Sequence, residues 1–298
     1  MTSRTGAPVV VGVDGSGSAL EAVRVAAREA ADRHRPLRVV HAFGWPLLGT
    51  PLGPVPVVCG DDAVRAAAQR TVDEAVEEAA KVAPEVPVTG RLCDGGPTAV
   101  LVRESRDAAL LVLGHRGLGG FAELLIGSVT VQVTAHADCP VLVVRGEARA
   151  DGPVVVGVDG SALSTEALGF AFAEAAQRDT RLVAVHAWLY PTAVGPGDIV
   201  PMAYDPQELR AEEERVLAES LAGFAERYPQ VPVSTKLVAA PAARALVEES
   251  TDAQLTVLGA HGRGGLAGAL LGSVSHALLH HARSPLAIVR HRRDLGRR

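Results

Sequence analysis

A long internal repeat limits the folds open to this chain more than any other feature of its sequence. The segment Pro8–Ser16, Pro-Val-Val-Val-Gly-Val-Asp-Gly-Ser, recurs without change as Pro153–Ser161, an offset of 145 residues. The same offset carries glycine, histidine and proline positions of the first half onto the second half along its whole length. Because the register holds throughout, the two halves are expected to fold alike. We predict two tandem domains, residues 1–147 and 148–298.

Each copy alternates short apolar runs with segments of helical periodicity. The run Val9–Val13 is apolar on both faces, and Ser18–Asp32 places apolar residues at helical spacing. Such alternation is typical of a parallel sheet covered by helices on both sides. We predict an α/β fold with two tandem doubly wound domains, each a five-stranded parallel sheet of order 3-2-1-4-5. The strands predicted in the first copy are Val9–Val13, Leu37–Ala42, Val86–Leu92, Ala109–Leu113 and Pro140–Val144. A loop rich in proline and glycine is predicted at Gly44–Gly60.

A glycine-rich segment follows the fourth predicted strand of each copy. It has the pattern Gly-x2-Gly-x9-Gly-Ser, at Gly114–Ser128 and again at Gly259–Ser273. Since each segment joins a buried strand to a helix start, free backbone N–H groups and the positive end of the helix dipole would face a ligand there. Asp14 and Asp159, which end the first strand of each copy, would flank the same crevice, where the winding direction reverses. The sequence therefore predicts a nucleotide-phosphate site in each copy.

The strand-end aspartates have two possible roles. Asp14 and Asp159 could accept hydrogen bonds from a ribose or help to hold Mg²⁺ on the phosphates. They could instead cap the following helix together with Ser16 and Ser161. The two roles are compatible, and both stay open at this point.

Several chemistries are excluded or disfavoured by the sequence. It contains no Gly-x4-Gly-Lys-[Ser/Thr] segment, so the chain is not a Walker-type NTPase. Neither glycine segment shows a general base beside an acid, so we predict no catalytic residues and slow or absent hydrolysis of a bound nucleotide. His276 and His280 have the i, i+4 spacing that can hold a metal, but no third ligand is evident, and we predict a solvated helix face and no metal ligands from the protein.

The charge and hydropathy of the chain limit the kinds of partner that it can bind. The formal net charge of −5 argues against a nucleic-acid partner. No apolar run approaches the roughly 18 residues that span a bilayer, and the first residues do not form a signal-peptide pattern. We therefore expect a cytoplasmic protein with neither nucleic acid nor membrane as a partner; the sequence does not identify a protein partner.

Together these motifs resemble the universal stress protein family, tandem type, over essentially the whole chain. The resemblance rests on Val-Gly-Val-Asp-Gly-Ser near the start of each copy, on both glycine segments, and on the closing segments Cys139–Val144 and Ser284–Val289. It implies the ATP-binding subclass, with one ATP per domain and Mg²⁺ as cofactors. The nucleotide-binding residues that it implies in the first copy are Gly12, Asp14, Ala42, Gly114, Gly117, Gly127, Ser128 and Val129. In the second copy they are Gly157, Asp159, Ala187, Gly259, Gly262, Gly272, Ser273 and Val274.

The resemblance also implies a role and an assembly. The role is a nucleotide-dependent regulator or sensor of the stress response, and the assembly is a homodimer with pairing of the two domains inside each chain. A slow ATPase or phosphotransferase, or an interaction module that does not use nucleotide, are the alternatives. A micromolar affinity, about 8 kcal/mol, is expected from helix-end contacts of roughly 0.3–2 kcal/mol each. Leu118 stands where the second copy has Arg263, so the two sites need not bind equally.

Overall fold

The chain divides into two compact units: one comprises the residues up to Arg145 together with those from Arg290 onward, and the other spans Gly146–Val289. The structure is a computed structural model. It describes residues 6–44, 47–50, 53–56, 61–117, 126–189, 205–263 and 271–290.

The first unit is built on a five-stranded parallel sheet. The strands of this unit are β1 (Val9–Val13), β2 (Leu37–Phe43), β3 (Leu47–Thr50), β4 (Gly53–Pro56), β5 (Val88–Asp94), β6 (Leu110–Gly114) and β7 (Val141–Val144). Its helices are α1 (Gly17–Asp32), α2 (Asp61–Val82), α3 (Pro97–Ser105) and α4 (Ser128–His136). All strands except β3 and β4 belong to the sheet, whose order is β5-β2-β1-β6-β7. When the five strands of the sheet are numbered 1 to 5 in chain order, they lie in the order 3-2-1-4-5, so the predicted order is confirmed.

A short hairpin corrects the prediction of a loop at Gly44–Gly60. β3 and β4 pair antiparallel there, with Leu47 opposite Pro56. Leucine and valine in both segments favour extended backbone, while the prolines of β4 cannot donate to a ladder, so the pairing stays short. Positions 45–46, 51–52 and 57–60 of that prediction lie outside the described residues. The third strand of the sheet begins at Val88, two residues later than predicted, because Pro87 lacks the N–H that a ladder needs.

The second unit repeats this architecture. Its strands are β8 (Val154–Gly157), β9 (Leu182–Trp188), β10 (Val233–Ala239), β11 (Leu255–Gly259) and β12 (Leu286–Val289). Its helices are α5 (Ala162–Gln177), α6 (Pro206–Leu221), α7 (Phe224–Arg227), α8 (Ala242–Glu249) and α9 (Ser273–His281). The sheet is parallel and has the order β10-β9-β8-β11-β12. The repeat in the sequence is therefore a repeat of the fold.

The first strand of each unit lies at the centre of its core. Val9, Val10 and Val11 of β1 have no exposed surface, and β8 is buried in the same way. Burying one such side chain contributes about 1.5–3 kcal/mol relative to leaving it in water. The carboxyl end of each central strand is therefore held rigidly, which makes it a suitable support for a binding site. In the part of the chain that the structure describes, no helix is both long and apolar enough to cross a membrane.

Candidate functional site

The predicted site residues of the first unit lie at the carboxyl edge of its sheet. Gly12 and Asp14 lie at the end of β1, Ala42 near the end of β2, and Gly114 at the end of β6. Strands β2, β1 and β6 are neighbours and parallel, so their carboxyl ends meet at one edge of the sheet. The strand order reverses its direction at β1, so this edge is a topological switch point. The remaining four residues belong to the loop after β6 and to the start of α4: Gly117, Gly127, Ser128 and Val129.

A cavity of about 370 Å³ lies at the corresponding edge of the second unit. All eight site residues predicted in the second copy line it: Gly157, Asp159, Ala187, Gly259, Gly262, Gly272, Ser273 and Val274. They come from β8, β9, the loop after β11 and the start of α9. The fold therefore brings together residues that are separated by as many as 117 positions in the chain, from Gly157 to Val274.

The carboxylate of Asp159 is held by hydrogen bonds to both of its oxygens. Oδ1 accepts the N–H of Ser161 (2.9 Å), and Oδ2 accepts the N–H of Arg263 (2.8 Å). Burial opposes ionisation, but hydrogen bonds from Ser161, Arg263 and Ser164 outweigh it and lower the pKa of Asp159 below its ordinary value. The group is an anion at neutral pH, fixed at the wall of the cavity.

Glycine is required beside this carboxylate in each unit. A Cβ atom at residue 262 would overlap Oδ2 of Asp159, and a Cβ atom at residue 117 would overlap Oδ2 of Asp14. Gly262 and Gly117 thus allow the loop to pass directly over the strand-end carboxylate. Part of the glycine pattern is explained by this close approach, before any ligand is considered.

The helix cap in each unit is the serine two residues after the aspartate. The hydroxyl of Ser161 accepts the N–H of Ser164 (3.2 Å), and Ser16 caps α1 in the same way. Asp14 accepts the N–H of Ser16 (3.0 Å), as Asp159 does from Ser161. The aspartates therefore support the cap residue and keep their carboxylates at the crevice.

The first turn of α9 faces the cavity. Ser273, Val274 and Ser275 line it, and the N-cap residue is Gly272, which has no side chain to accept their N–H groups. The hydroxyl of Ser275 donates to the carbonyl of Gly259 (2.8 Å), which ties the helix start to the end of β11. Free N–H groups at a helix start, with the positive end of the dipole behind them, favour an anion.

The start of α4 has the same construction in the first unit. Gly127 is its N-cap, and its N–H donates to the carbonyl of His115 (2.8 Å). Thr130 donates to the carbonyl of Gly114 (2.9 Å), as Ser275 does in the second unit. At Gly127 the backbone is extended (φ −74°, ψ 141°), and a Cβ atom would meet its nearest neighbours only at 3.7 Å. Neither the backbone conformation nor the packing of the described residues requires glycine at this position.

Gly12 and Gly157 have a packing role. A Cβ atom at residue 12 would lie 2.9 Å from Leu113 and 3.0 Å from Leu101. Gly157 meets Leu258 and Leu246 in the same way, and these three residues also line the cavity. The two glycines let leucines of the next strand and of a covering helix close the floor of the crevice.

Two histidines, each two residues before the end of the second sheet strand of its unit, form hydrogen bonds beside the crevice. Nδ1 of His41 lies 2.7 Å from the carbonyl of Val13, and Nδ1 of His186 lies 2.7 Å from that of Val158. His186 is buried, and its Nε2 lies 2.6 Å from the carboxylate of Glu213 on α6. The sequence motifs did not indicate this second bond, since the first copy has Ala68 at the position equivalent to Glu213.

Other cavity residues were also missed by the sequence motifs. Ala242 and Leu246 come from α8, Ser164 from α5, and Val185 from β9. These residues are ordinary for a helix face or a buried strand, so their types carry no functional signal. Only their packing onto the carboxyl edge of the sheet places them at the site.

The residues present fit a nucleotide better than a metal held by the protein. In the described parts of the chain, no group of three or more His, Cys, Asp or Glu side chains is placed to hold a metal ion. Both oxygens of Asp159 already accept N–H groups. The rings of His276 and His280 on α9 have centroids 4.8 Å apart, with their planes tilted by 49°. Any Mg²⁺ at this site would thus depend on phosphate oxygens for most of its ligands.

Comparisons with known proteins agree with this architecture. The model of the universal stress protein family matches residues 7–145 and 152–290. A universal stress protein of Mycobacterium tuberculosis is 41% identical over 291 residues, covering 95% of this chain and 96% of the relative. One of Mycolicibacterium smegmatis is 36% identical over 295 residues, covering 95% and 97%.

A solved structure shares the fold of the whole chain. The crystal structure of a universal stress protein from Archaeoglobus fulgidus has a TM-score of 0.68, with 96% of this chain and 97% of that chain covered at 18% identity. Two tandem family matches, full-length relatives above 30% identity and the shared fold lead to one conclusion. The chain belongs to the universal stress protein family, with two family domains in tandem.

Proposed function

We propose that each domain, residues 1–147 and 148–298, binds one ATP together with Mg²⁺. The observation that carries this proposal is the cavity of the second unit, where all eight predicted residues meet. Its size suits part or all of a nucleotide, and pockets of this kind run from about 300 to 1,000 Å³.

The chemistry of the cavity walls suits the parts of a nucleotide. The free N–H groups at the start of α9 suit the phosphates, because they combine donors with a positive dipole end. The ionised carboxylate of Asp159 suits the ribose hydroxyls, which are donors. The apolar wall formed by Val185, Ala187 and Leu246 suits the base. Mg²⁺ would enter with the phosphates that neutralise its charge.

The proposed role is that of a nucleotide-dependent regulator or sensor in the stress response. The cavity presents hydrogen-bond donors, the carboxylate of Asp159 and apolar walls, a combination that suits the binding of a ligand. We further propose that the protein is cytoplasmic, and that it forms a homodimer in which the domains of each chain also pair.

Thermal unfolding with and without ATP tests the binding proposal. At an ATP concentration of about 100 times Kd, binding adds about 2.7 kcal/mol to the free energy of unfolding. We expect 1 mM ATP with Mg²⁺ to raise Tm by several degrees. The double variant Asp14→Ala, Asp159→Ala, measured against its own nucleotide-free Tm, should lose most of this shift. An absent shift in the wild-type chain, or an equal shift with inorganic pyrophosphate, would contradict ATP as the ligand.

A further inference from the structure

Arg263 distinguishes the second site from the first. It lines the cavity, and the first copy has Leu118 at the equivalent position. We propose that Arg263 makes the second site selective for nucleoside triphosphates over monophosphates. This inference rests on the proposed function, since it concerns how the same site reads the length of the phosphate chain.

The backbone of Arg263 is fixed to the centre of the sheet. Its N–H donates to Oδ2 of Asp159 (2.8 Å), at the end of β8. The preceding residue is Gly262, and its lack of a side chain permits this approach. The backbone of Arg263 is therefore held in place beside the end of β8, although Arg263 itself lies in a loop.

The guanidinium group occupies a defined place at the rim of the cavity. It lies against Gly160, so that Cζ would be 3.2 Å from a Cβ atom at that residue. Val216 of α6 borders the same space, with Cγ1 3.0 Å from the same point. Gly160 has φ +74°, a conformation that favours glycine, and its bare backbone forms the surface on which the guanidinium rests.

The positive charge of Arg263 is available to a ligand. Within the described residues the guanidinium has no carboxylate partner, and the residue is exposed on its solvent side. Asp159 uses both of its oxygens for N–H groups and forms no ion pair with the guanidinium. A guanidinium with free donors in a fixed fork matches phosphate oxygens in charge and in geometry.

The effect of this charge depends on the number of phosphates. The first phosphate can be satisfied by the free N–H groups at the start of α9 alone. Further phosphates add negative charge that those few N–H groups cannot neutralise. The guanidinium at the rim of the cavity can neutralise it. Arg263 should therefore add much to the affinity for ATP and little to the affinity for AMP.

The test is the ratio of ATP to AMP affinity in the full chain, measured by calorimetry with Mg²⁺ present. Arg263→Leu installs the residue of the first copy. We expect it to weaken the tighter class of ATP site by about 10- to 100-fold, from the loss of charged hydrogen bonds. AMP binding should change by less than about threefold, and Arg263→Lys should restore part of the ATP affinity.

Two further variants separate position from charge. Gly160→Ala should reduce the ATP to AMP ratio with the arginine still present, because the new Cβ atom displaces the guanidinium. Arg244→Leu removes the same charge from α8 outside the cavity and should leave the ratio unchanged. Equal weakening of ATP and AMP in Arg263→Leu, or an unchanged ratio, would overturn the inference while leaving nucleotide binding intact. Failure of the wild-type chain to bind either nucleotide would instead overturn the proposed function.

Discussion

Oδ2 of Asp159 occupies the space in which a side chain of residue 262 would begin, so the present position of the Asp159 carboxylate depends on glycine at residue 262. The same relation joins Asp14 to Gly117 in the first unit. Two features that look separate in the sequence, a strand-end aspartate and the second glycine of a loop, are thus one structural unit. Its effect is to hold a carboxylate directly beneath the loop.

The first prediction concerns this close approach. Gly262→Ala should displace the Asp159 carboxylate and break its bond to the N–H of Arg263. Loss of one such bond costs about 1–1.5 kcal/mol, so ATP affinity at the second site should fall about tenfold. Calorimetric titration measures this. Gly17→Ala, where a Cβ atom meets nothing within 4 Å, is the control and should bind ATP like the wild type. Unchanged affinity in Gly262→Ala would contradict the role given to Asp159.

The second prediction separates a binding glycine from a packing glycine. A Cβ atom at Gly114 would overlap Ser18, at 2.5 Å from Oγ and 2.7 Å from the carbonyl oxygen, whereas Gly127 has room for one. Gly114→Ala should lower the free energy of unfolding by about 1–3 kcal/mol. Gly127→Ala should have the same free energy of unfolding as the wild type, but it should bind ATP more weakly at the first site. If Gly127→Ala changes neither property, the loop is structural and the interaction-module alternative gains support.

The third prediction concerns the contact between the buried His186 and the partly buried Glu213. Nδ1 of His186 lies 2.7 Å from the carbonyl of Val158, and Nε2 lies 2.6 Å from the Glu213 carboxylate. Glu213→Ala leaves Nε2 without this partner and should cost about 1.5–3 kcal/mol in the second unit. Urea unfolding measures the loss. Glu212→Ala, which removes an exposed ion pair of 3.8 Å, should cost less than about 0.5 kcal/mol. Equal costs would mean that Glu213 stabilises the second unit no more than a residue of an exposed ion pair does.

The fourth prediction is a pH dependence with a defined sign. The pKa of Asp159 in the folded chain lies below its ordinary value of 3.8, so the folded state favours the ionised carboxylate. The resulting stability is fully present above the ordinary pKa and is lost as pH falls through the folded pKa. Asp159→Asn should therefore be less stable than the wild type at pH 7, and the difference should shrink in acid. Asp252→Asn, at an exposed carboxylate, should show no such trend. A difference that grows in acid would contradict the assignment.

The central strands and the sheet order could be predicted from the sequence because their signals are local and repeated. Val9–Val13 is apolar on both faces, which only a covered parallel sheet accommodates, and an exact second copy removes most ambiguity. The hairpin at β3 and β4 was missed, since proline and glycine there suggest a loop and the pairing depends on backbone contacts within ten residues. Strand ends moved by one or two residues where a proline or a register partner decides the last hydrogen bond.

The site could be predicted only where residue type carries chemical meaning. Glycine spacing and a strand-end aspartate identify the loop, and all eight residues predicted in the second copy line one cavity. Leu246 and Ala242 reach it only because α8 packs over the sheet, and no short pattern encodes that. Glu213 reaches His186 from 27 residues away, through the packing of α6. The glycines at positions 12 and 157, taken as nucleotide contacts from the family resemblance, also serve to admit leucine side chains.

Isothermal titration of the full chain with ATP in the presence of Mg²⁺ reports affinity and stoichiometry together. We expect two ATP molecules to bind per chain with micromolar dissociation constants, and we expect Arg263→Leu to weaken the tighter of the two sites. Absence of binding heat at millimolar ATP, with displacement of a fluorescent ATP analogue also absent, would contradict this expectation.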